Sequence, residues 1–255
     1  MKYTYSDIIE SLPIKKNSNS SWWVKLWVRK TSFLFTYIFI NLGFTSNMVS
    51  LLSIIITLLA CISFGISSKL GIYIGVFFIN FWLILDCVDG NIARCKKNKT
   101  VYGEFIDDMS GYFTTAFIYF SISIVSYYNG GLVVEKNCIA ILILGAISSI
   151  SDILARLIHK DYVCFGYEGN VLKKEKVGTN LEQNKKSLNY IRSRIGKEIG
   201  ISGLFMPLVI FSVFYNFYDI ITIFYFCFNI FALISTVILL YYKANKYDNE
   251  EKNEK

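Results

Sequence analysis

Charge-free apolar runs cover residues 47–68, 70–85, 109–134, 137–151, 199–218 and 220–242. A helix needs ~20 apolar residues to cross a bilayer. The pattern therefore predicts six transmembrane helices. The run over 137–151 is short, so its helix must continue through Asp152 and Arg156. Ahead of the first span, Trp22, Trp23 and Trp27 interleave with Lys25, Arg29 and Lys30, and an apolar stretch follows from Phe33 to Phe44. Basic and aromatic residues mixed in this way suit an amphipathic helix lying in the headgroup layer. The alternative is a seventh span beginning near Thr31, for which ~14 residues is short. The segment 166–186 reads as mobile, the part nearer Gly200 as a short lead-in helix, and the tail after Tyr242 as solvated and without order.

Composition agrees with the pattern. Of 255 residues, 54% are hydrophobic and only 18% charged, against ~25% charged in a water-soluble domain. Mean hydropathy is +0.44. The net charge is +7. Of the 26 Lys and Arg residues, 23 fall before the first span, after the second and fourth, or in the tail. By the positive-inside rule both termini face the cytoplasm. Backbone in lipid must satisfy its own hydrogen bonds, so the fold class is all-α, polytopic. The division is 1–46 as cytoplasmic and interfacial segment, 47–242 as six-helix domain and 243–255 as cytoplasmic tail. The basic excess is spread as topology demands and no nucleic-acid motif accompanies it, so no nucleic-acid partner is expected. The six cysteines form no CxxC pair and read as reduced packing residues; the single His159 reads as interfacial. No organelle-targeting segment is evident, which fits a bacterial or archaeal inner membrane.

The informative stretch lies where the second span ends and the third begins, DCVDGNIARCKKNKTVYGEFIDDMSG. On a helix, Asp86, Asp89, Gly90 and Ala93 share one face. Like charges this close repel unless a cation sits between them. Gly90 and Ala93 leave that face without bulk, and Arg94 offers a guanidinium suited to phosphate. Asp107, one turn after Gly103, meets the pair if the third span packs antiparallel to the second. Hard oxygen donors without His or Cys favour Mg2+, Mn2+ or Ca2+.

These residues resemble the signature of the CDP-alcohol phosphatidyltransferase family: Asp, two residues, Asp-Gly, two residues, Ala-Arg, eight residues, Gly, three residues, Asp, three residues, Asp. Seven of the eight fixed positions match, at Asp86, Asp89, Gly90, Ala93, Arg94, Gly103 and Asp107. TSNMVS, from Thr45 to Ser50, is similar to the family's entry into its first span, with Ser46 and Ser50 where Pro and Thr are usual. The resemblance implies transfer of a phosphoalcohol group from a CDP-alcohol, often CDP-diacylglycerol, to an acceptor hydroxyl, with release of CMP. It implies one or two Mg2+ or Mn2+ ions on Asp86, Asp89 and Asp107, and a nucleotide pocket of Asp86, Gly90, Ala93, Arg94, Gly103 and Asp107. It also implies a homodimer.

The eighth position is Gly111. The family's Asp there is taken to ligate a second ion and to act as base. Three readings follow: a substitute carboxylate, with Asp108 first and Glu104 next; a one-metal site; or binding without turnover, as a silent scaffold. Asp152 and Arg156, at i and i+4, are either a mutually neutralised pair or, with Arg192 and Arg194, a basic pocket for an anionic acceptor.

Overall fold

The computed structural model describes residues 3–13, 17–97, 100–168 and 194–254. It is all helical, with no strand among the described residues. The elements are α1 (Tyr5–Glu10), α2 (Arg29–Asn41, led in by a π-helical turn over Val24–Val28), α3 (Ser46–Ile66), α4 (Lys69–Cys95), α5 (Val101–Asn129) and α6 (Ile139–Glu168). A further π-helical turn over Ile201–Phe205 leads into α7 (Met206–Tyr215), and α8 (Tyr218–Glu254) ends the chain. Six helices are long and apolar enough to cross a membrane. The fifth begins at Arg194 and includes α7, so the expected lead-in helix near Gly200 is present over 194–199.

Local chemistry sets the boundaries. Thr45, Ser68 and Thr100 sit in extended backbone, and their side-chain oxygens accept from the N–H groups of Met48, Gly71 and Gly103, which starts α3, α4 and α5. Ser67 closes α3 in the left-handed region at φ 53°, and α4 starts two residues later. Two boundaries differ from the charge-free runs. α4 does not stop at Leu85 but carries all of Asp86 to Arg94 in helical register, because those charges lie at its polar end. α8 runs on to Glu254, so the tail is not without order in its backbone. Residues 243–254 contain no Gly or Pro and extend a helix already nucleated, which costs little. The segment expected to be mobile, 166–186, lies for the most part outside the described residues.

Hydrogen bonds between helices give the directions. Ser53 pairs with Ser110 (2.6 Å) and Thr57 with Thr114 (2.9 Å), so α3 and α5 run parallel along a seam of small residues. Ser50 meets Asp89 of α4, which returns between them. Phe120 N donates to Ser149 and Tyr119 to Asp152, so α6 is antiparallel to α5. Asn229 donates to Ser148, joining α8 to α6. The ends of α4 and α6, the start of α5 and Arg194 therefore fall at one end of the bundle.

α2 packs along α4 with an inverted amphipathicity. Arg29, Ser32, Phe33, Thr36 and Ile40 are buried, while Leu34, Tyr37 and Ile38 are exposed. The predicted N-terminal helix exists, and its outward side is apolar. No disulfide joins the six cysteines.

At the opposite end, Asp219 is fully buried. Its Oδ2 accepts from the N–H groups of Val133 (2.6 Å) and Val134 (2.9 Å), and Oδ1 from Ile220 (2.9 Å). A Cβ on Gly131 would stand 2.0 Å from the Asp219 side chain, so only glycine admits this approach. Asp219→Ala would strip the acceptor from three backbone donors, at about 1–3 kcal/mol each. Its thermal midpoint in detergent is expected to fall by about 5 °C or more; an unchanged midpoint would contradict the role of this loop anchor.

Candidate functional site

Four helices build the site: α4 supplies Asp86 and Asp89, α5 supplies Gly103 to Asp108, α3 supplies Ser50 and Asn47, and α6 supplies Arg156 and Lys160. Asp89 is 4% exposed, whereas Asp86 and Asp107 are exposed. Ser50 Oγ donates to Asp89 Oδ2 at 2.6 Å. The carboxylates whose charges act on Asp89 are Asp86 of its own helix and Asp107 of α5, so the three lie within electrostatic reach of one another. α5 approaches through Gly103: a Cβ there would stand 3.0 Å from Asn47 Oδ1 and 3.1 Å from Thr100 Oγ1. The TSNMVS segment therefore contributes directly, with Ser50 on the buried aspartate and Asn47 against Gly103. Pattern alone did not assign those roles.

Gly111 lies one turn beyond Asp107, and a Cβ at this position would have nothing within 4 Å. The missing carboxylate thus leaves room rather than a filled gap. Asp108, the expected substitute, is half-buried, and its Oδ2 is ion-paired with Lys160 Nζ of α6. Lys160 also lies 5.6 Å over the Tyr112 ring. Its part in the site was not foreseen, because 52 residues separate it from Asp108.

The two arginine groups separate. Arg156 Nε pairs with Asp152 Oδ1 at 3.1 Å, and Tyr119 donates to the same carboxylate at 3.4 Å. The i,i+4 pair is formed, and Arg156 still keeps 46% of its side chain exposed towards the α5–α6 face. Arg194 instead pairs with Glu198 (2.7 Å) and donates to the Ser18 carbonyl (3.0 Å). Glu198 in turn accepts from Trp22 N at 2.8 Å, tying the N-terminal segment to the fifth span. Arg192 lies outside the described residues.

Arg94 follows the aspartates but turns towards α2. One terminal nitrogen donates to Asn91 Oδ1, and Asn91 donates to Ser32 (3.3 Å) and Thr36 (3.0 Å). The charge acting most on Arg94 is Arg29; Asp89 acts less.

Among the described residues no three His, Cys, Asp or Glu side chains are gathered closely enough to hold an ion. The donor chemistry nevertheless fits a hard dication: carboxylate oxygens of like charge within electrostatic reach of a buried member. Asp86, Asp89 and Asp107 are the residues that would hold it.

Removing one charge relieves that repulsion, and Asn still accepts from Ser50. Asp89→Asn is therefore expected to unfold in EDTA no earlier than the unsubstituted protein. Millimolar Mg2+ is expected to raise the midpoint of the unsubstituted chain and not that of Asp89→Asn. An Asp89→Asn protein stabilised by Mg2+ to the same extent would rule Asp89 out as a ligand.

No curated protein matches the chain. The family described as CDP-alcohol phosphatidyltransferase matches residues 44–238. That span runs from the turn before α3 well into α8 and includes every carboxylate of the acidic face. By this match the chain belongs to the CDP-alcohol phosphatidyltransferase family.

Proposed function

We propose that the protein transfers a phosphatidyl group from CDP-diacylglycerol, or a related phosphoalcohol from another CDP-alcohol, to an acceptor hydroxyl and releases CMP in membrane-lipid synthesis. The observation that carries this reading is the family match over residues 44–238, which takes in the buried Asp89 and the two carboxylates, Asp86 and Asp107, whose charges act on it. The placement of Lys and Arg supports a site and termini on the cytoplasmic side.

In this reading Asp86, Asp89 and Asp107 hold Mg2+ or Mn2+. The ion supplies charge neutralisation at the donor's diphosphate. Gly90, Ala93 and Gly103 leave the flat surface on which the nucleotide lies, with Arg94 at its edge. Ser50 keeps Asp89 oriented. The acceptor enters over Gly111 and its oxygen forms a bond to the donor's alcohol-bearing phosphorus. The bond from that phosphorus to CMP breaks, and CMP leaves with the electron pair. The acceptor's proton passes to Asp108, which Lys160 must release first because the ion pair occupies its Oδ2. Arg156, paired with Asp152 yet still exposed, serves an anionic acceptor.

A second reading, a CDP-alcohol-binding scaffold without turnover, is favoured by Gly111 and by the Lys160 hold on Asp108. CMP release from CDP-diacylglycerol with Mg2+ or Mn2+ and a panel of alcohols and alcohol phosphates decides between them. The expected result is CMP release that EDTA abolishes and that Asp89→Asn lowers at least about 1000-fold. Asp108→Asn is expected to lower kcat by about 100-fold or more. Cytidine-nucleotide binding without CMP release under any acceptor would establish the scaffold. Because a Cβ at position 111 has open space, Gly111→Asp should fold; activity gained from nothing in that variant would also favour the silent reading.

A further inference from the structure

Asn91 stands on α4 between Asp89 and Arg94 in the chain, and its side chain is wholly buried against α2. The two halves of its amide are not interchangeable. On α2, Ser32 Oγ donates to the Arg29 carbonyl at 2.8 Å and Thr36 Oγ1 to the Ser32 carbonyl at 2.6 Å. A hydroxyl has one proton, so both groups turn lone pairs towards α4. Those lone pairs suit the amide nitrogen, which donates to Ser32 at 3.3 Å and to Thr36 at 3.0 Å. The amide oxygen is thereby aimed the other way, where it accepts from a terminal nitrogen of Arg94. Two buried hydroxyls of α2 thus decide which atom Arg94 meets.

Electrostatics alone would place Arg94 elsewhere. Arg29, the first residue of α2, is the charge acting most on Arg94 and repels it; Asp89 acts less and attracts it. Both forces drive the guanidinium from α2 towards the carboxylates. Asp89 would welcome it, being buried with Asp86 and Asp107 acting on it in like sign. Arg94 nevertheless forms no ion pair among the described residues. The bond to the Asn91 oxygen opposes that pull.

We infer that Asn91 is a positioning residue that holds Arg94 aside from Asp89, so that the carboxylates remain open to a divalent cation. Asn91 meets no cation itself and acts through Arg94. Without the amide, the guanidinium closes onto Asp89 in a charge-assisted pair and competes with the ion for the same oxygens. α2 therefore acts on cation binding although it contributes no ligand: its hydroxyls fix the amide, and the amide fixes Arg94. The inference rests on the reading that Asp86, Asp89 and Asp107 hold the ion.

The experiment is Mn2+ titration of the full chain in mild detergent, with free Mn2+ read from its paramagnetic resonance signal. Asn91→Leu, which can neither accept from Arg94 nor donate to α2, is expected to weaken Mn2+ binding about tenfold, as loss of one bond to a charged group converts. Removing the competitor should cure this: Asn91→Leu combined with Arg94→Gln is expected to bind Mn2+ as Arg94→Gln alone does. A side chain that merely fills space would give no such recovery. Should Asn91→Leu not fold, Thr36→Val removes one anchor of the amide, with an expected loss of about threefold that Arg94→Gln again reverses. Unchanged Mn2+ affinity in the variant that folds overturns the inference and leaves the carboxylate reading standing. A double variant as weak as the single one also overturns it, because the effect then does not pass through Arg94. An unsubstituted chain that binds no Mn2+ overturns both.

Discussion

A carboxylate buried among apolar helices must be given partners or it will not stay ionised, and Asp89 is the residue on which this constraint falls. It accepts hydrogen bonds from the Ser50 hydroxyl and the Gly90 backbone, and the carboxylates Asp86 and Asp107 act on it with the same sign. The bundle can hold it there because α3, α4 and α5 are fastened independently. Ser53 and Ser110, then Thr57 and Thr114, tie α3 to α5 a turn at a time below the acidic group. Trp82 adds a bond from α4 to Ser110 at 3.3 Å. The repulsion at the top is thus borne by a frame of hydroxyls too short to yield much.

Charge on α4 is sorted by face. Asp89 and Arg94 are five residues apart, about 140° around a helix. They do not neutralise one another. Arg94 is drawn instead to Asn91 and the polar side of α2, while the aspartates look towards α5. One helix end therefore carries its acidic and its basic groups on different faces.

The six passes were legible because lipid permits so little: a run without charge and of sufficient length has one outcome. The acidic face was legible because i, i+3 and i+7 spacing puts residues together once the helix is granted. What could not be read was everything set by contact between distant segments. Nothing near Lys160 in the chain announces that it will engage Asp108. Asp219 looked like a separator between two spans; its role in gathering the Val133 and Val134 backbone depends on a loop 85 residues away. The direction of Arg94 was undetermined for the same reason, since it depends on Asn91 bridging to Ser32 and Thr36. The end of α8 was missed on different grounds. Polar composition suggested solvent, but polarity does not stop a helix that is already growing.

The continuation of α8 has a mechanical side. From Tyr242 to Glu254 the helix advances by roughly 18 Å, at 1.5 Å per residue. The turns beyond Lys246 lie past the stretch apolar enough for the bilayer, so the last span carries its helical backbone out of the hydrocarbon layer on the end that holds the acidic face.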